Sequence, residues 1–162
     1  MEKAIAIITA RGGSKRIPRK NIKEFCGKPI IAYSIEAAKK SGRFSEIMVS
    51  TDSEEIAEIS RNYGANVPFL RSKKTSDDYA TTADVLMEVL DGYKQREREF
   101  EYTCCIYPTA PFVTEDKLIR AMEIMERQNP VAVMPVVQFS YPPQRCYVVD
   151  ENERIHFKFP QY

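Results

Sequence analysis

The segment Ala4–Thr9 is apolar almost without a break and holds three isoleucines. An alternating run would mark a strand with one wet face. An unbroken run marks a strand buried on both faces, which demands layers on both sides of a sheet. Parallel sheets in α/β proteins meet that demand, and the rest of the chain supplies the layers. Pro29 suits the first turn of a helix whose face is Ile30, Ile31, Tyr33, Ser34, Ala37 and Ala38 and whose stop is Gly42. Glu46–Ser50 predicts a second strand. Asp52, with Glu55 three residues on, predicts a helix start that runs to about Tyr63, with Gly64 as its C-cap. Val67–Leu70 predicts a third strand, weakened by Pro68. Thr82 to about Glu99 predicts a long helix, and Tyr102–Tyr107 a strand. Thr114 can cap a helix carrying Leu118, Ile119, Met122 and Met125, and Val131–Val137 predicts a further strand. This alternation implies an open, mostly parallel α/β sheet with flanking helices.

The tail reads differently. Arg145–Val149 and Arg154–Phe159 flank the polar turn Asp150–Glu153, which predicts a β-hairpin rather than another βα unit. The expected organisation is a nucleotide-binding domain over 1–139 and the start of a second region over 140–162. The last residues, Phe159-Pro-Gln-Tyr162, carry no closing helix, so the expectation is a chain short of a C-terminal part.

Composition narrows the chemistry. The chain has 24 Lys+Arg against 23 Asp+Glu, a net charge of +1, which argues against a globally basic nucleic-acid coat or an acidic tail protein. His156 is the single histidine, and Cys26, Cys104, Cys105 and Cys146 show no C-x-x-C spacing. Most metal-site and triad chemistries are excluded on that count, and four unpatterned thiols fit a reducing cytosol. No apolar stretch approaches the roughly 20 residues of a membrane span, and the N-terminus lacks a secretory pattern. A soluble cytoplasmic protein with no membrane partner is expected.

Against that near-neutral background, residues 11–23 carry six basic side chains and no acid. The loop follows the first strand directly, at the end of a sheet where ligands bind. Gly12 and Gly13 let backbone N–H groups approach an anion, and Arg11, Lys15 and Lys20 can neutralise several phosphate oxygens. Neither G-x-x-x-x-G-K-[ST] nor G-x-G-x-x-G is present. No aromatic residue interleaves with the charges, so stacking on nucleic-acid bases has no platform. The bland alternative is a merely solvated loop.

The stretch Ala10-Arg-Gly-Gly-Ser-Lys-Arg-Ile-Pro-Arg-Lys-Asn21 resembles the signature of the cytidylyltransferases that activate nonulosonic acids, the CMP-sialic acid synthetases and their relatives. The resemblance continues in order through Val49-Ser-Thr-Asp52, Arg71, Ser76-Asp-Asp-Tyr-Ala-Thr-Thr82 and Tyr107-Pro-Thr-Ala-Pro111. Within the family, Cys105-Ile-Tyr-Pro-Thr-Ala-Pro-Phe112 looks most like the pseudaminic acid branch. Sialic acid enzymes typically place Gln where Tyr107 stands.

The resemblance implies a Rossmann-like nucleotide-diphosphosugar-transferase sheet. It implies transfer of CMP from CTP to the anomeric hydroxyl of a nonulosonic acid, most simply pseudaminic acid, with release of pyrophosphate, for flagellin or surface-polysaccharide synthesis. It implies Mg²⁺ as cofactor and a homodimer. By motif, Arg11, Ser14, Lys15 and Lys20 would hold the triphosphate, with Ala10 and Gly13 in the same loop. Asn21 would hold the ribose end. Arg71, Ala80 and Thr82 would read cytosine and its ribose, Asp78 would orient that loop, and Tyr107 and Thr109 would face the sugar. The family's metal aspartates are expected beyond residue 162, so no metal ligand is named.

Simpler roles stand beside these. Asn21 can cap a turn, Arg71 can be a surface cation, and Tyr107 can pack at a strand end. Asp52 is expected as a helix cap before a metal ligand. Cys104 and Cys105 are expected as small core residues facing opposite ways, and His156 as structural. The rival functions are an N-acylneuraminate cytidylyltransferase and, in another class, a nucleotide-binding module without turnover.

Overall fold

The computed structural model describes residues 2–161. Its framework is a parallel sheet of three strands, with β1 (Glu2–Thr9) in the centre. After β1 come the two-residue strands β2 (Glu24–Phe25) and β3 (Lys28–Pro29), then α1 (Ile30–Ser41), β4 (Glu46–Ser50), α2 (Glu54–Asn62), α3 (Thr82–Lys94), β5 (Phe100–Ile106) and α4 (Glu115–Gln128). Both β4 and β5 pair with β1 in parallel, so Ile5 lies opposite Glu46 on one side and Thr103 on the other.

The sheet position of β1 explains its composition. Residues Ala4–Ile8 are at 0% exposure. Ala6 and Ile8 pack with Ile31 and Ile35 of α1, Ile56 of α2 and Leu118 of α4. Ile5 and Ile7 pack on the opposite face with Val89 and Tyr93 of α3. Successive side chains point to opposite faces, so a strand with helices on both sides must be apolar at every position.

Side chains set the starts of α2 and α3, whereas Thr114 stands at the start of α4 without the expected side-chain cap bond. Thr81 and Asp84 form a reciprocal capping box at α3. At α2 the cap is Ser53, whose hydroxyl accepts the Ile56 N–H, and not Asp52 as expected. The helix α3 ends at Lys94, earlier than the expected Glu99. Turns follow, with Glu97 in the left-handed region at φ 59°, and they swing Arg98 onto Glu2 and Glu46.

The expected strand at Val67–Leu70 is absent. The chain bonds to the outer side of β4 at two points only. Asn66 exchanges bonds with Ile47 and Val49 (2.8 and 3.0 Å), and the Arg71 N–H donates to the Thr51 C=O (2.8 Å). Between them Pro68 has no N–H to give, so no ladder forms. The basic stretch read as a loop from sequence contains a 3₁₀ turn at Lys20–Ile22, and the β2–β3 hairpin follows it.

The contacts divide the chain into two units, 1–130 and 131–162. In the second, β6 (Tyr147–Val149) and β7 (Ile155–Phe157) form the expected antiparallel hairpin. The His156 ring bonds to the Asp150 carboxylate at 2.6 Å across its turn. The expected strand at Val131–Val137 does not form. No strand among the described residues lies alongside it, and Pro135 interrupts its row of donors.

Candidate active site

The carboxyl ends of the parallel strands converge on one cleft. β1 delivers Thr9 and Arg11, β5 delivers Tyr107–Thr109, and the irregular segment between α2 and α3 delivers Arg71. Thr75, Asp77, Asp78 and Ala80–Thr82 close the remaining side. The cleft has a volume of about 280 Å³ and also takes in Lys20 and Asn21. Open α/β sheets bind ligands at this place.

The basic loop is folded back by two ties. The Asp52 carboxylate accepts the Gly12 N–H at 2.7 Å, and the Asn21 Nδ2 donates to the Arg11 C=O at 2.8 Å. A Cβ at Gly12 would sit 3.1 Å from that of Ser53, so the close approach of loop to α2 favours glycine there. The ties change the expected chemistry. The Gly12 N–H goes to the Asp52 carboxylate and the Ser14 N–H to the Gly12 C=O (2.8 Å), so neither amide is free for a ligand anion. The loop offers its side-chain cations instead.

Two of those cations share one carboxylate. Arg11 Nη2 stands 2.9 Å from Asp78 Oδ1, Arg11 Nη1 donates to the Asp77 C=O at 2.5 Å, and Lys15 Nζ pairs with Asp78 Oδ2. Hydrogen bonds from Lys15 and then Arg11 hold the Asp78 carboxyl below its ordinary range. Lys20 opens the 3₁₀ turn, one residue after Arg19, which is left-handed at φ 54° and pairs with Glu55.

Arg71 is not a surface cation. It is 9% exposed, with Nε donating to Ser50 Oγ at 3.0 Å and Nη2 to the Ser50 C=O at 2.6 Å. Burial lowers its pKa, opposed by the fields of Asp52 and Glu88. Asn21 is also buried, and its Oδ1 has no partner among the described residues. Tyr107 is 58% exposed, so it does not pack away at the strand end. Ser34 Oγ donates to its C=O at 2.9 Å, and its hydroxyl lies 3.2 Å from Thr82 Oγ1.

Nine of the residues expected from sequence therefore meet at one cleft: Arg11, Lys20, Asn21, Arg71, Asp78, Ala80, Thr82, Tyr107 and Thr109. Ala10, Gly13, Ser14 and Lys15 are outside its lining. Ala10 is fully buried with its N–H on the Ser50 C=O, and Lys15 reaches the site only through Asp78. Asp77, Thr75, Ser50 and Glu88 were missed. Asp77 had a local signal: its carboxylate accepts the Tyr79 and Ala80 N–H groups, the ordinary use of Asp in a turn. The others act through partners distant in sequence.

Burial disfavours the thiolate form of both β5 thiols. Burial pushes Cys104 up to about 11 and also raises Cys105. Among the described residues no three His, Cys, Asp or Glu side chains stand together as a metal-holding group. Both Asp78 oxygens face cations, and Asp52 is engaged with Gly12. These residues make no protein cage for a divalent ion.

A family model described as cytidylyltransferase matches residues 5–156. The chain is 43% identical over 154 residues to the pseudaminic acid cytidylyltransferase of Campylobacter jejuni, covering 95% of this chain and 66% of that protein. It is 36% identical over 148 residues to the CMP-N,N'-diacetyllegionaminic acid synthase of Legionella pneumophila, covering 91% of this chain and 63% of that one. The chain thus spans just under two-thirds of the length of these relatives. In fold it is similar to a CMP:2-keto-3-deoxy-manno-octonic acid synthetase solved with CTP, at a TM-score of 0.66, 23% identity and coverage of 79% of this chain and 49% of that one.

Proposed function

The chain belongs to the cytidylyltransferase family, and from that premise we propose that its cleft binds CTP. The whole protein, in this reading, transfers CMP to the anomeric hydroxyl of a nonulosonic acid, pseudaminic acid foremost. That hydroxyl attacks the α-phosphorus and pyrophosphate leaves. No covalent intermediate on the protein is needed, so the work is positioning and charge stabilisation.

The observation that carries the reading is that Arg11 and Lys20 line a single cleft together with Arg71, Ala80 and Thr82. Arg11, Lys15 and Lys20 take the phosphates, with Asp78 as the resident counter-ion that gives up Arg11 and Lys15 when a triphosphate arrives. The ion pairs at Asp78 are solvent-exposed, with side-chain exposures of 34–79%. Such pairs are weak and exchangeable. Asn21 and Arg71 hold the nucleoside, and Tyr107 and Thr109 face the sugar. Mg²⁺ would travel with the triphosphate, and no step is assigned to it on the residues present. Residues 1–139 as nucleotide-binding domain, 140–162 as the start of a sugar-binding and dimerisation region, a homodimer and a cytoplasmic location complete the reading. No helix among the described residues is long and apolar enough to cross a membrane.

Calorimetry with CTP, UTP and ATP tests it. CTP binds most tightly, and Arg11→Ala weakens it by about 1.5–3 kcal/mol, the worth of a charge-assisted contact. Equal binding of all three nucleotides, or an Arg11→Ala variant that binds CTP like its parent, sinks the proposal.

A further inference from the structure

The segment that carries Arg71 into the cleft has no regular structure of its own. Residues 71–80 form no helix or strand, with turn and bend over 73–79, and none of them belongs to either apolar core cluster. Such a segment keeps one geometry only if polar groups tie it down. At Ser72–Thr75 a single carboxylate ties it to α3. Glu88, on the polar flank of α3, accepts the Ser72 N–H through Oε1 at 2.7 Å. Its Oε2 accepts the Ser72 hydroxyl at 3.0 Å and the Thr75 hydroxyl as well.

Three donors on one carboxylate are enough to keep it ionised although it is partly buried. Desolvation raises the Glu88 pKa, but Thr75, Ser72 and the field of Arg71 outweigh it and leave the pKa below 4.5. Glu88 itself does not line the cleft, whereas Arg71 and Thr75, on either side of Ser72, both do. Beyond Thr75 the chain runs straight into Asp77 and Asp78, the groups that meet Arg11 and Lys15. The Arg71 guanidinium is anchored to Ser50 on the sheet, and Glu88 anchors the turn that follows it to the helix.

The geometry points to Glu88, on the reading of the cleft as a CTP site, as a positioning residue for nucleotide recognition: it fixes the Ser72–Thr75 turn and through it the placement of Arg71 and the 77–80 rim. It touches no ligand. Its loss frees donors on the exposed Ser72 and the buried Thr75, neither of which belongs to an apolar core cluster, so the effect falls on the turn rather than on the core.

The test uses Glu88→Ala and Glu88→Gln, with Met87→Ala, an exposed neighbour on the same helix, as control. CTP and UTP affinities are measured by calorimetry, and amide exchange at Ser72 is measured without nucleotide. Glu88→Ala speeds Ser72 exchange, weakens CTP binding about tenfold and narrows the preference for CTP over UTP. Glu88→Gln keeps a carbonyl for the Ser72 N–H while the two hydroxyls turn to suit the amide, and it recovers most of the affinity. In an Arg71→Ala background the Glu88→Ala loss shrinks severalfold, because residues acting through each other are not additive. Faster Ser72 exchange with parental CTP affinity and selectivity overturns the inference, and so does an undiminished loss in the Arg71→Ala background. Should Glu88→Ala fail to fold, the same cycle with Glu88→Gln decides it by whether its smaller loss depends on Arg71. A parent chain that does not bind CTP fails at the first control and overturns the reading of the cleft together with the inference.

Discussion

The strand segment Ala4–Ile8 and the segment Val131–Val137 are both runs of apolar residues, yet Ala4–Ile8 is at 0% exposure while Val131, Val136 and Val137 are at 104%, 89% and 91%. The difference lies in what surrounds them. β1 has a parallel partner on each edge and helices on each face. The second segment has no strand alongside it among the described residues. Apolar sequence states a demand for partners; whether the demand is met is decided elsewhere in the chain.

The largest expected effect lies in that contrast itself. Ile7→Ala empties a fully buried site between β1 and α3 and costs about 3 kcal/mol of unfolding free energy. Val136→Ala removes exposed surface and stays within about 0.5 kcal/mol. Urea unfolding of both variants measures it, and similar losses would dissolve the contrast.

A smaller effect compares the ion pairs of the two units. Arg98 joins Glu2 of β1 to Glu46 of β4, and the Glu46 side chain is 4% exposed. Arg98→Ala leaves that carboxylate buried with only Asn66 donating to it at 2.6 Å among the described side chains. A fully buried pair broken in this way costs about 3–5 kcal/mol; with a third of Arg98 open to water, about 2 kcal/mol is expected. The counterpart in the second unit is His156 with Asp150, side chains 56% and 31% exposed. His156→Ala is expected to shift the unfolding midpoint less than Arg98→Ala does. Equal shifts in the unfolding midpoint would mean that burial does not separate the two.

The smallest perturbation is chemical labelling. Cys26 and Cys146 are exposed, whereas burial pushes Cys104 up to about 11. A thiol-exchange reagent at neutral pH should modify Cys26 and Cys146 quickly, with Cys104 and Cys105 following only as the sheet opens. Fast labelling of all four thiols in the folded protein would contradict the placement of β5.

Much of the candidate site was legible because its signals are local. The charge cluster in residues 11–23 stands out against a near-neutral chain, and β1, α1 and the hairpin follow from apolar period, Gly42 and a polar turn. Asp52 was misread for an instructive reason. An acid three residues before a Glu looks like a cap, but Ser53 is one residue closer to the helix and takes that role. Asp52 is thereby left for Gly12, 40 residues away.

The chain's own sequence determined the β1 strand, the helices around it and the basic loop at its end, since periodicity, caps and charge act over a few residues. Only the tertiary structure decided that 67–70 and 131–137 are not strands, because a strand exists through its partners' hydrogen bonds and not through its own side chains. It alone decided that Asp78 meets Lys15 across 63 residues and that Glu88 meets Ser72 across 16. Those contacts are set by where the sheet and α3 bring the chain back on itself, a path that no local window of residues contains.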